Sequence, residues 1–151
     1  MSSIVVCIDT SNASETALRY ACYKAKDAGF SVQILAVLEA SFKNLPFGAR
    51  AIGNEKRKQI EDRINKLVDT VCKETSITPA ISIREGDIST EIVRELKNSA
   101  DARMIVFGKS HNSQSDNTVL PKIVGKIGSK INVPVTIVPE NMSLELLKSL
   151  V

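Results

Sequence analysis

Four short apolar runs and one alternating segment punctuate the chain at regular intervals. They are Ile4–Ile8, Val32–Leu38, Pro79–Arg84 (alternating around Ile81 and Ile83), Met104–Phe107 and Val133–Val138. An unbroken apolar run of this length reads as a strand covered on both faces. Between the runs the period changes from two to 3.6. Ala17, Leu18, Ala21, Cys22, Ala25 and Ala28 form one helical face whose small residues suit close packing on a sheet. Asn12 is the expected N-cap, with Glu15 at the capping-box position, and Gly29 the expected stop. Ile60, Ile64, Leu67, Val68 and Val71 repeat with helical spacing and predict a long helix over 55–74. Its other face carries Lys56, Arg57, Lys58, Glu61, Asp62 and Arg63, as a solvated face should. The preceding segment, 40–54, holds Pro46, Gly48 and Gly53, shows no period and is expected to be loop. After a Gly86-Asp87 turn, Ser89 or Thr90 is expected to cap a helix that turns Ile92, Val93 and Leu96 inward. A helix over 119–132 buries Leu120, Ile123, Val124, Ile127 and Ile131, and a short amphipathic helix is expected within 143–150.

Strands alternating with helices mean right-handed crossovers and a parallel sheet. The expected fold is therefore α/β: an open, five-stranded, doubly wound parallel sheet with helices on both faces. It fills one domain, 1–140, followed by a C-terminal extension, 141–151.

Composition narrows the function. The chain has 151 residues, 43% hydrophobic and 25% charged, enough for one domain with a proper core. A net charge of +3, dispersed over the helices, gives nucleic-acid binding little support. With no Trp and 4% aromatic residues, base-stacking platforms are not expected either. Cys7, Cys22 and Cys72 fall within apolar patterns and fit no metal or redox spacing, so buried, reduced thiols are expected. No basic leader or long apolar run appears, and the expected location is the cytoplasm, without membrane insertion.

The chemistry gathers after the fourth strand. Gly108 opens a polar segment, 109–118, and Pro121 stands in the first turn of the helix that follows. In open α/β sheets ligands bind where strand carboxyl ends meet such loops. A phosphate-gripping loop needs glycines so that N–H groups can converge on the anion, and this one has a single glycine at its start. His111, the one histidine, sits in that polar loop with no nucleophile signature beside it, so catalysis is not expected. Asp9, at the end of the first strand, has two readings: a hydrogen-bond acceptor for a ligand, or an Asx turn into the first helix.

Several stretches together resemble the universal stress protein family. They are IVVCIDTS at the first strand, ILAVLE at the second, REGDISTEIVRELK at the third helix and INVPVTIVP at the close. The resemblance spans about residues 3 to 139. It implies strand order 3-2-1-4-5, with the switch point between the first and fourth strands and Asp9 brought to Gly108. It also implies an adenine-nucleotide site of Asp9, Ser11, Val37 (through its backbone), Gly108, Lys109, His111 and Lys122. ATP-binding members carry G-x-x-G-x9-G-(S/T). Here those glycines fall on Gly108, His111 and Pro121, and the hydroxyl position on Lys122. Proline offers no N–H, and a Cβ disfavours positive φ. ATP binding is accordingly expected to be weak or absent. Lys109 and Lys122 are read either as solvated lysines or as replacement charge for the lost donors. The resemblance further implies stress response, and a homodimer through Val135, Thr136 and Ile137. The expected function is a cytosolic, non-enzymatic regulator acting through dimerisation and partners. The alternative is an adenine-nucleotide-binding switch with slow or no ATPase activity. An adenylyl-transferring enzyme is disfavoured, because no matching catalytic signature appears.

Overall fold

A computed structural model describes residues 1–39, 48–110 and 119–151. Five strands, β1 (Ser3–Cys7), β2 (Ser31–Glu39), β3 (Ala80–Gly86), β4 (Ala102–Lys109) and β5 (Val135–Pro139), form one sheet in the order β3-β2-β1-β4-β5. Every neighbouring pair is parallel. Helices α1 (Ala13–Ala28), α2 (Gly48–Leu67), α3 (Lys73–Thr75), α4 (Ile88–Asn98), α5 (Val119–Ile127) and α6 (Leu144–Ser149) complete the chain. The expected doubly wound α/β sheet and its strand order are what is found.

The sheet divides the core in two. On one face Ile4, Val6, Ile34 and Val106 pack with Leu18, Cys22, Ile60, Ile64 and Cys72 from α1 and the α2 region. On the other, Val5, Leu35 and Ile105 pack with Ile92 of α4 and Ile127 of α5. Alternate residues of β1 therefore serve opposite layers, which is why its sequence reads as an unbroken apolar run. Cys22 and Cys72 are buried and Cys7 half-buried, all as free thiols. The Cys22 and Cys72 sulfurs lie 3.7 Å apart.

Local corrections follow from specific contacts. Asn12 does not cap α1: it is in the αR conformation and its side chain makes no capping bond. Gly29 does end the helix, at φ 72°, where a residue with a Cβ would be strained. The helix expected over 55–74 begins earlier, at Gly48. The part of the expected loop over 48–54 is helical although it holds Gly48 and Gly53 and shows no period; nothing lies within 4 Å of where a Cβ on Gly53 would stand. One glycine costs a helix only about 1 kcal/mol. The part of the expected loop before Gly48, 40–47, lies outside the described residues. At its other end the helix widens into a π-helical turn, Val68–Cys72, before α3 and a left-handed stop at Ser76. The cap of α4 is neither Ser89 nor Thr90 but Asp87, whose Oδ2 accepts from Thr90 N at 3.0 Å and Thr90 Oγ1 at 2.8 Å. The last long helix stops at Ile127, five residues short of the expected end, and Gly128 begins the turn that leads to β5. Pro134 precedes β5, yet its carbonyl still accepts from Ile105 N at 3.0 Å.

Candidate functional site

The switch point lies where β1 and β4 are neighbours while their crossovers run to opposite sides of the sheet. At the carboxyl end of β1 the chain turns through Asp9. Its Oδ1 accepts from Ser11 N (2.8 Å), Ser11 Oγ (2.5 Å) and Ser14 Oγ (2.8 Å). Its own N–H donates to Ser14 Oγ at 2.9 Å. These bonds fasten the start of α1 in place of the absent Asn12 cap and realise the Asx-type turn. Across the switch point, an ideal Cβ on Gly108 would lie 2.4 Å from Ala13 O and 2.7 Å from Ala13 C. The glycine lets the end of β4 pass under the first turn of α1, so packing alone requires it. Asp9 and Gly108 thereby border one space.

That space is a crevice of about 590 Å³. Asp9, Ser11, Val37, Gly108 and Lys109 line it, so five of the seven candidate residues are brought together. Lys122 is exposed and is not among the lining residues. His111 lies outside the described residues, as does the segment 111–118. Pattern reading missed Ser14, Cys7 and the apolar side of the crevice, formed by Ile88, Ile92, Phe107, Leu120, Ile123 and Val124. From the sequence, Ile92, Leu120, Ile123 and Val124 read as core and Phe107 as the end of an apolar strand, while Ile88 carries no assignment. The signal that could have found them is position: each falls on the last residues of a strand or the first two turns of a helix, the end of the sheet where ligands bind. Cys7 also lines the crevice. Burial, with Asp9 and Glu95 nearby, pushes its thiol well above the usual range, so it stays protonated and is a poor nucleophile.

The electrostatics are sparse. Among the described lining residues Lys109 is the one cation and Asp9 the one carboxylate, and both are exposed. The described residues hold no cluster of His, Cys, Asp or Glu able to bind a metal. A nucleoside fits this geometry: the volume is ample for one and the rim offers a carboxylate and hydroxyls. A polyphosphate does not fit as well. Pro121 stands on the crevice wall without an N–H, and the flanking side chains are apolar.

Near the crevice mouth, β5 forms one edge of the sheet. Val135 and Thr136 are half-buried, Ile137 is 44% exposed, and Thr136 Oγ1 points to Met104 Sδ at 3.8 Å. Ile137 also lines the crevice. Among the described residues no helix is long and apolar enough to cross a membrane.

Comparison with solved structures places the chain among proteins of the same fold. It superposes on universal stress protein UspA from Lactobacillus plantarum with a TM-score of 0.77 at 16% identity, over 91% of this chain and 97% of that one. The universal stress protein from Archaeoglobus fulgidus in complex with dAMP gives 0.65 at 17% identity, over 91% and 97%. A family member from Arabidopsis thaliana with AMP bound gives 0.61 at 18% identity, over 93% of each chain. No curated protein sequence matches it closely. The sequence profile of the universal stress protein family matches residues 1–139. The chain belongs to the universal stress protein family.

Proposed function

We propose that this protein is a non-enzymatic, cytoplasmic regulator of the stress response that acts as a homodimer and through protein partners, with ATP binding weak or absent. The observation that carries the reading is the make-up of the crevice. Its nucleoside-sized part is intact around Asp9, Val37 and Gly108, while its α5 side presents Pro121 and apolar side chains where a triphosphate would need donors. Each charge-assisted hydrogen bond that is lost removes about 1.5–3 kcal/mol, so two or three losses take a micromolar site to the millimolar range. The non-enzymatic part of the reading is supported by the Cys7 thiol, which burial keeps protonated and therefore a poor nucleophile.

The second reading, an adenine-nucleotide-binding switch, is favoured by a different observation. Structures of the same fold hold dAMP or AMP, and here the crevice remains open at the switch point. Calorimetric titration with ATP and AMP separates the two. Millimolar or undetectable ATP binding is the outcome the first reading requires. A low-micromolar dissociation constant for ATP would replace it with the second. Absorbance of the purified protein is a second check. Without tryptophan, a co-purified adenine compound stands out near 260 nm.

A further inference from the structure

The mismatch between the crevice and a polyphosphate can be taken further, on the reading that the crevice takes an adenine compound at all. We propose that its ligand is an uncharged adenine nucleoside carrying an apolar 5′ substituent, bound in preference to AMP and ATP.

Three features lead there. The first is size. At about 590 Å³ the crevice holds more than a bare nucleoside needs and extends from Val37 at the end of β2 to Ile137 on β5. The second is charge. Lys109 is the sole described cation on the lining and is exposed to water, and the lining also carries the opposite charge of Asp9. Each added phosphate therefore brings negative charge that no second cation among the described lining residues offsets, against apolar side chains on the α5 side. The third is the chemistry of the α5 side. Leu120, Ile123 and Val124 face the space together with Phe107, and Pro121 removes one N–H from the first turn of the helix. An alkyl or thioether group satisfies that surface and a phosphate leaves it unsatisfied. The polar rim of Asp9, Ser11 and Ser14 lies on the β1 side, where hydroxyls of a sugar can be met.

The test is calorimetric titration of the full chain with adenosine, 5′-deoxy-5′-(methylthio)adenosine, AMP and ATP. The expected order is methylthioadenosine first, at least about tenfold tighter than AMP, a gap of about 1.4 kcal/mol, with ATP weakest. AMP or ATP binding as tightly as methylthioadenosine would overturn the proposal and leave the adenine-binding reading standing. No binding by any of the four at millimolar concentration would overturn both. Two variants locate the effect. Leu120→Lys, half-buried at the mouth, is expected to move the preference toward AMP by about tenfold or more. Pro121→Ser, at an exposed position, restores an N–H with little risk to the fold and is expected to tighten the phosphate-bearing ligands while leaving methylthioadenosine unchanged. Folded variants with an unchanged preference would remove the apolar α5 wall from the explanation and with it the proposal.

Discussion

Gly108 shows how one residue can carry two readings that the sequence cannot separate. The resemblance marks it as the first glycine of a phosphate loop. The structure gives it a second duty, since a side chain there would strike the Ala13 carbonyl. The obstacle is backbone, which cannot rotate away, so Gly108→Ala must displace the first turn of α1. The expected cost is about 1–3 kcal/mol, measured by urea denaturation, and an unchanged midpoint would refute the close approach. Asp9 is similar. Its Oδ1 is taken up by Ser11 and Ser14, so Asp9→Ala should loosen the start of α1 as well as alter the crevice. The Gly108 contact is not legible in one sequence, because Ala13 becomes its neighbour only once β1 and β4 lie side by side, whereas the bonds from Ser11 and Ser14 to Asp9 are local and extend the Asx-type turn.

At the scale of elements, strands were legible and helix ends were not. The central strands β1, β2 and β4 are covered on both faces over most of their length, and burial on both sides writes a continuous apolar run, whereas the edge strand β3 is partly exposed and reads as alternation. Helix ends depend on single hydrogen bonds, which composition does not reveal. The sequence reads Asp87 as turn and Ser89 or Thr90 as the cap, whereas Thr90 is the donor and Asp87 the acceptor. Asp87→Ala is expected to cost about 1 kcal/mol, whereas Asp87→Asn should retain most of the cap. The bonds from Thr90 hold the Asp87 carboxyl below its usual range, and Arg19 does the same to Glu74. A depressed folded pKa means these groups contribute stability above the unfolded carboxylate range, about 4, and lose it as pH falls through the folded value. Thermal unfolding followed from pH 7 to 3 should fall less steeply in Asp87→Asn and Glu74→Gln than in the parent; parallel curves would contradict the assignment. A second element, β3, is tied to α4 by a network invisible to periodicity. Buried Glu95 accepts from Gln33 Nε2 at 2.7 Å and Arg84 Nε at 2.6 Å. Glu95→Ala removes the acceptor of both, leaving Arg84 its longer pairing with Glu91 at 3.7 Å, and is expected to cost about 2 kcal/mol, read from the same denaturation curves.

For the whole molecule, strand order decides which surfaces are left to other chains. The order leaves two edges, β3 and β5. The β3 edge carries Arg84 and Glu85, with Glu85 held by Arg57 at 3.5 Å, and charge on an edge strand discourages pairing. The β5 edge has no charged residue between Val135 and Pro139 and leaves Ile137 exposed. Pairing two copies of β5 across a two-fold axis gives an isologous interface, which is why a homodimer is the assembly we expect. The bonds to β4 show which backbone groups are free for it. Pro134 O accepts from Ile105 N and Glu140 N donates to Lys109 O. Residues of even number therefore turn their N–H and C=O groups toward β4, and because these groups alternate along a strand, Val135 and Ile137 turn theirs outward. Thr136, chosen from the sequence along with them, faces the ladder. Ile137→Pro should accordingly remove an outward donor and halve the mass seen by light scattering at tens of micromolar. Thr136→Val should leave that mass unchanged. A parent protein that is monomeric, at 16.4 kDa, under the same conditions would end the dimer argument. A dimer that survives Ile137→Pro would move the interface elsewhere, with the exposed leucines of α6, Leu144 and Leu146, the next surface to test.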